Sequence, residues 1–285
     1  MKSLAESELV LNPDGSVYHL NLSPEDISDL IIVVGDPGRV HKVTQYFDSV
    51  DFEMNKREFI TQTGICNNRR VTVISTGIGT DNVEIVMNEL DALVNIDLKT
   101  RQIKDKQRRL KIIRIGTSGS IQADIPVGSL VASVNAIGLD SLMYFYQFPQ
   151  TPEEQAINKL LQQKLQLGFE PYCASGSQEL LQQFAHDMIE GNTVTAPGFY
   201  APQGRQLRIP STNPKFLQEL NYFHHNNFWL TNMEMETSGY YAFGRMLGHE
   251  VLSLNAILAN RINNQFAKNP EKIIDDLIQK VISRL

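Results

Sequence analysis

Five short runs of branched apolar residues, at 30–34, 71–75, 111–115, 129–134 and 251–258, recur along the 285-residue chain, with helical periodicity between them. A strand that is apolar at nearly every position, not at every second one, has to be covered on both faces. Such strands alternating with helices predict an α/β fold, a single-domain three-layer α/β/α arrangement around a mixed central sheet. No linker-like shift in composition, internal repeat or low-complexity segment divides the chain, so residues 1–285 read as one domain. With 42% apolar residues, a chain of this length can bury a core of the required size.

The helical stretches carry their own punctuation. Asp81 is a candidate N-cap ahead of Val83, Val86, Leu90 and Leu93, which fall on one side of a helix. Thr151-Pro152-Glu153-Glu154 is a capping box with proline in the first turn, ahead of Ile157, Leu160, Leu161 and Leu165. Further helices are expected at 176–189, 213–225, 235–248 and 270–284.

The net charge of −6 argues against nucleic acid as a partner. The densest basic run, KTRQIKDKQRRLK at 99–111, has no single charged face and no interleaved aromatic, and reads as a solvated loop or helix end. Cys66 and Cys173 lack metal-ligand spacing and read as free thiols, a single disulfide being the alternative. The first residues lack the apolar centre of a signal peptide, and no run approaches the length that spans a bilayer. The expectation is a soluble, cytoplasmic protein with no membrane partner.

In sheets of this kind ligands sit beyond the carboxyl ends of strands. The runs at 30–34, 71–75 and 111–115 lead into GDPGR, TGIGTDN and GTSGS, all expected to be loops. Glycine admits close approach of backbone N–H groups to an anion, and arginine presents a planar fork to its oxygens. Arg39 follows the first loop. Arg114 lies inside an apolar run, where a guanidinium needs either an anionic ligand or a buried Asp or Glu. No Walker A sequence occurs, and TGIGTDN puts Asn82 where a dinucleotide fingerprint needs its third glycine. The pattern suits free phosphate or a small phosphorylated group.

Two further stretches suggest substrate chemistry. NMEMET at 232–237, if extended, points Glu234 and Glu236 to one side, as a clamp for adjacent hydroxyls beside Met235; the alternative is an acid pair opening a helix. PGFYAPQGR at 197–205 sets Gln203 and Arg205 near Phe199, a set able to read a planar base with carbonyl oxygens; the alternative is a surface loop.

Taken together, VYHLNL (17–22), VVGDPGRV (33–40), KREF (56–59), ISTGIGTDN (74–82), IRIGTSGSIQADIPVGSLV (113–131), FYAPQGR (199–205), NMEMET (232–237) and ILANR (257–261) resemble the nucleoside phosphorylase-I family, and within it the uridine phosphorylases. The resemblance implies a phosphate site at Gly35, Arg39, Arg114 and Thr117, with Arg57 entering from a neighbouring subunit. It implies a ribose site at Met235 and Glu236, with Glu234 adjacent and His19 supplied by the neighbour. Phe199, Gln203 and Arg205 fall on the positions that hold the pyrimidine. Glu58, the Ile78 carbonyl and Asn82 fall on a monovalent-cation (K+) site at a subunit interface, where the family more often has serine than asparagine.

The implied protein is a homo-oligomer, dimeric or hexameric, with shared active sites. It cleaves uridine with phosphate to uracil and ribose 1-phosphate, with phosphate as co-substrate and no cofactor required. Arg39, Arg114, Thr117, Gln203, Arg205 and Glu236 carry the catalysis. The alternatives are a purine or broad-specificity nucleoside phosphorylase, a non-catalytic nucleoside or phosphate sensor, and an interaction module built on the basic run. A purine enzyme commonly needs an acid for N7 of the leaving base; the stretch at 252–265 has none and offers only Asn260 as a neutral donor. The charged insertion at 99–110 and a longer N-terminal lead depart from the family pattern.

Overall fold

The computed structural model describes residues 3–285, and all five apolar runs lie in one eleven-stranded sheet. In chain order the strands are β1 (Leu30–Val34), β2 (Ser49–Lys56), β3 (Phe59–Cys66), β4 (Arg69–Ser75), β5 (Lys111–Ser120), β6 (Leu130–Gly138), β7 (Tyr172–Ser175), β8 (Ile189–Thr195), β9 (Asn232–Glu234), β10 (Glu250–Asn260) and β11 (Gln265–Phe266). Their spatial order is β11-β10-β6-β8-β9-β5-β1-β4-β3-β2, with β7 beside β6. A further parallel pairing joins β5 to β10, from Lys111 opposite Glu250 to Ser120 opposite Asn260. Strands β5, β10, β6, β8 and β9 thereby close into a ring, and β1, β4, β3 and β2 extend from it as an open wing. Parallel and antiparallel pairs are mixed, as expected.

Helices α1 (Gly38–Thr44), α2 (Thr80–Asn95), α3 (Pro152–Leu165), α4 (Gln178–Phe184), α5 (Phe216–Asn221), α6 (Thr237–Leu247) and α7 (Pro270–Ile282) flank the sheet. The unbroken apolar character of β1 has a direct structural counterpart. Ile31 and Val33 pack on one face with Val86, Met87 and Leu90 of α2 and Phe243 of α6. Ile32 and Val34 pack on the other with Leu180 of α4 and Leu277, Ile278 and Val281 of α7. Each such side chain contributes about 1.5–3 kcal/mol of burial, so the strand fixes both helical layers at once.

The capping box stands as read: Thr151 Oγ1 accepts from the Glu154 N–H at 3.2 Å, and Glu154 accepts from the Thr151 N–H at 2.7 Å. Other expectations need correction. GTSGS is not a loop; β5 runs on to Ser120, because β10 lies alongside it and Ser120 and Gly119 pair with Asn232 and Met233. Asp81 is not an N-cap. Helix α2 starts at Thr80 after Gly79, whose φ of 100° suits glycine, and Asp81 sits in the first turn. The helix expected over 176–189 stops at Phe184, because residues from Ile189 onward join the sheet as β8. The hairpin β2–β3 carries too few consecutive apolar residues to show as strand in the sequence; it is an edge, and β2 is largely exposed.

Both cysteines are free and buried. No helix among the described residues is long and apolar enough to cross a membrane. The basic insertion makes a small hairpin, Ile96–Asp97 with Gln102–Ile103, whose turn is held by Asp97 accepting from the N–H groups of Lys99 and Thr100 at 3.0 and 2.9 Å. The N-terminal lead packs on it, with the Leu4 N–H donating to the Arg101 carbonyl at 2.8 Å. The two departures from the family pattern are thus one structural feature.

Candidate functional site

The carboxyl ends of β1 and β4, the middle of β5 and the start of α6 surround an open cavity of about 770 Å3. Gly35, Arg39, Arg114, Thr117, Phe199, Gln203, Arg205, Glu234, Met235 and Glu236 all line it. Segments more than two hundred positions apart in the chain are therefore brought together by the fold.

Arg39 reaches the cavity because β1 ends at Val34 and the Gly35-Asp36-Pro37 turn delivers the chain into α1. The turn is fixed by Asp36, whose carboxylate accepts from the Gly38 N–H at 2.9 Å. Arg39 is 9% exposed and donates to the Ile115 carbonyl at 3.1 Å. Among the described residues it has no carboxylate partner. Burial pushes its pKa down, and the nearby Arg114 charge adds to the effect. A buried, charged guanidinium with no carboxylate bonded to it is costly; Asp36, Glu271 and Glu236 offset that cost only from a distance, which leaves room for an external anion.

Arg114 differs. Its Nη2 lies 2.5 Å from Glu236 and 3.0 Å from Glu234, and its Nη1 donates to Asn255 and Ser253 at 3.2 and 3.3 Å. Burial lowers its pKa, but the two carboxylates outweigh burial and raise it. The internal ion pair considered for this residue is therefore present, at the wall of the cavity. The side chain folds back over Gly116, where an added Cβ would stand 2.0 Å from Nη1. This explains the glycine in IRIG: it is a strand residue whose missing side chain makes room for Arg114. Gly116→Ala is expected to displace the guanidinium; if Arg114 serves the reaction that the sequence resemblance implies, turnover falls by about 10²-fold, in keeping with an ångström-scale misplacement. Steady-state kinetics with varied phosphate would check it; unchanged turnover would mean that the position of Arg114 is immaterial.

The reading of NMEMET as a pair of free carboxylates needs correction at Glu234. The strand stops at Glu234 and α6 starts at Thr237. Glu234 accepts from the Thr195 hydroxyl at 2.7 Å and from the N–H groups of Glu236 and Thr237 at 2.9 to 3.1 Å, besides its contact with Arg114. Both of its oxygens are occupied in opening the helix, the alternative that the sequence leaves open. Glu236 has a lighter load, accepting from the Gly79 N–H at 2.8 Å and pairing with Arg114. Burial raises its pKa against the opposing pull of Arg114. Met235 and Met233 both line the cavity, and Met233, 2% exposed, also packs into the core.

Elsewhere on the cavity wall, Gln203 is 3% exposed and its Oε1 accepts from Arg205 at 2.6 Å. The Arg205 guanidinium lies 3.8 Å from the centroid of the Phe199 ring. Its pKa is pushed down to about 10 by burial, with the Arg261 charge adding. Arg261 is an addition to the expected set. It donates to the Gln203 carbonyl at 2.9 Å and so fixes the loop; an arginine within ILANR is the signal in the sequence. Ser118, Gly119 and Phe266 also line the cavity and are not among the expected residues, the first two because a glycine- and serine-rich segment reads as a loop.

His19 and Arg57 do not line this cavity. Arg57 lies in the two-residue turn between β2 and β3, with φ 54°, and its guanidinium is 5.9 Å from the Tyr18 ring. His19 is held with Nδ1 2.6 Å from Glu89. The two therefore share one outer surface, and Glu58, next in the chain, lines the cavity. Ile78 and Asn82 are also at the cavity, where the Asn82 amide donates to the Ile78 carbonyl at 3.4 Å. That carbonyl is already engaged, so the Glu58 carboxylate is the better oxygen donor of the three for a cation.

Comparison with known proteins matches residues 29–283 to the model of the phosphorylase superfamily. The chain is 26% identical to a uridine phosphorylase of Thermococcus kodakarensis over 278 residues, covering 95% of this chain and 87% of that protein. It is 23% identical to a DeoD-type purine nucleoside phosphorylase of Buchnera aphidicola, over 93% of this chain and 97% of that one. Among solved structures, a Trypanosoma brucei nucleoside phosphorylase described as showing uridine phosphorylase activity superposes with a TM-score of 0.88 at 28% identity, covering 97% of this chain and 99% of that one.

Proposed function

The chain belongs to the phosphorylase superfamily, and from that premise we propose that it cleaves uridine with orthophosphate to uracil and ribose 1-phosphate. The observation that carries this reading is Arg39, a buried cation with no carboxylate bonded to it, at the wall of a cavity that Gln203, Arg205 and Phe199 also line. Phosphate occupies the Arg39 end, beside Gly35 and Thr117, with Arg114 behind it. Arg57 from a second copy of the chain completes the anion site, and His19 of that copy holds the sugar 5′-hydroxyl. The protein therefore acts as a homo-oligomer with shared sites, in the cytoplasm. Glu236 and Met235 hold the ribose.

In the reaction the C1′–N1 bond breaks with its electron pair leaving on the base, and a phosphate oxygen then bonds to C1′. Positive charge builds on the sugar and negative charge on the uracil. Fixed groups help most where charge develops. The phosphate dianion faces the sugar, and Gln203 and Arg205 face the base carbonyls. No organic cofactor takes part, and a monovalent cation at Glu58 is at most structural.

Purine cleavage is less well served. Asn260, the neutral donor in the stretch at 252–265, gives its amide to the carbonyls of Gln122 and Ile125 at 2.9 Å each, and is fully buried. The test is absorbance of a uridine solution with and without phosphate. Release of uracil only with phosphate, and little reaction of inosine, is expected. Binding of uridine without phosphate-dependent cleavage would make the protein a sensor, and rapid inosine turnover would overturn the base assignment.

A further inference from the structure

A second concavity, of about 660 Å3, opens at the other end of the sheet, where β1, β4 and β5 begin. Arg69, Arg70, Arg108, Arg109 and Lys111 line it, with Asp29 as the one lining carboxylate. The cations do not form one run; they converge because β1 is paired to β4 on one side and to β5 on the other. Arg108 pairs with Asp29, Arg109 with Glu250 at 2.9 Å and Lys111 with Glu179 at 2.6 Å. Arg70 donates to the Ile27 carbonyl at 2.9 Å, and among the described residues neither it nor Arg69 has a carboxylate partner. Cations thus outnumber carboxylates even when every pair is made, on a chain whose net charge is −6. The existing pairs are partly exposed, hence weak and exchangeable for a denser anion.

We propose that this cleft binds a short polyphosphate anion of the triphosphate class, at a site separate from the nucleoside cavity. Guanidinium forks from several directions match a chain of phosphoryl groups better than a single carboxylate. The aromatic residue lining the cleft, Phe184, is 1% exposed and offers no face for stacking. Recognition therefore rests on the phosphates. A nucleoside triphosphate and inorganic tripolyphosphate should bind alike, and single-stranded nucleic acid lacks the stacking platform it requires.

The test is titration calorimetry on the full chain at physiological ionic strength, with inorganic tripolyphosphate and with ATP. One saturable site per chain is expected, with the two affinities within about threefold of each other. Arg69→Gln combined with Arg109→Gln, at two exposed positions, should weaken both about tenfold while uridine cleavage is unchanged. Arg39→Met, which removes the anion position in the other cavity, should leave tripolyphosphate binding intact. That arm separates failure of this site from failure of the proposed reaction. The proposal is overturned by absence of saturable binding, by ATP binding where tripolyphosphate does not, or by binding lost in Arg39→Met and kept in the double variant.

Discussion

Arg39→Met is expected to lower kcat/KM for uridine cleavage by about 10²–10³-fold, the usual cost of losing one preorganised donor to the transition state. The same substitution should leave the unliganded protein as stable as the parent, or more so. Taking a charge out of water is costly, so replacing a buried charge that has no bonded internal partner by an apolar side chain of similar length is neutral or stabilising. Arg39 gives up its donation to the Ile115 carbonyl and the longer-range attraction of Asp36, Glu271 and Glu236, and is relieved of the repulsion of Arg114. Thermal unfolding with and without orthophosphate separates the two effects. The parent should gain stability as phosphate rises above its dissociation constant, by mass action, and the variant should not. A variant that loses activity and also melts much earlier without phosphate would show Arg39 to be a structural residue, and the anion site would have to lie elsewhere.

Most of the framework that places Arg39 is legible in the sequence, for a physical reason. A strand buried on both faces has no polar positions to spare, so β1, β4 and the first half of β5 stand out as apolar runs. Where a strand faces water or a polar interior that signal fades. Strand β2 is an exposed edge, β3 beside it is buried but built largely of polar and small residues, and the second half of β5 carries glycine, threonine and serine because it borders the cavity. Residues 116–120 read as a loop on composition, whereas pairing with β10 keeps them extended.

The site is legible as a set of residue types, less so as a set of roles. Each motif holds two readings, and the choice between them depends on contacts that no local window contains. For Glu234 the helix-opening reading stands, because the Glu236 and Thr237 N–H groups and the Thr195 hydroxyl all converge on it. For Arg114 both readings meet in one residue, which lines the cavity and is tied to two internal carboxylates. Arg261 acquires a role only through its bond to the Gln203 carbonyl. His19 and Arg57 share a surface outside the cavity, so the roles the resemblance implies for them rest on the proposed second copy of the chain.

Arg114→Met should behave in the opposite way to Arg39→Met. Its removal leaves Glu234 and Glu236 side by side, both nearly inaccessible to solvent, with no cation between them. Breaking a buried ion pair from one side costs about 3–5 kcal/mol, because the abandoned charge stays desolvated. For a chain of this size that is a fall in melting temperature on the order of 10 °C. The abandoned carboxylates should also titrate upward, so the loss should grow as pH rises through the folded-state pKa of Glu236, which burial already holds above the ordinary range. Adding Glu236→Gln to the variant should recover a large part of the stability, since one buried charge is then gone, and none of the uridine cleavage. On the proposed reading the two arginines divide the work: Arg114 balances charges the fold has buried, and Arg39 awaits the charge of the phosphate. If Arg114→Met melts with the parent, or if Glu236→Gln fails to restore it, the two carboxylates are not what Arg114 compensates and this division is wrong.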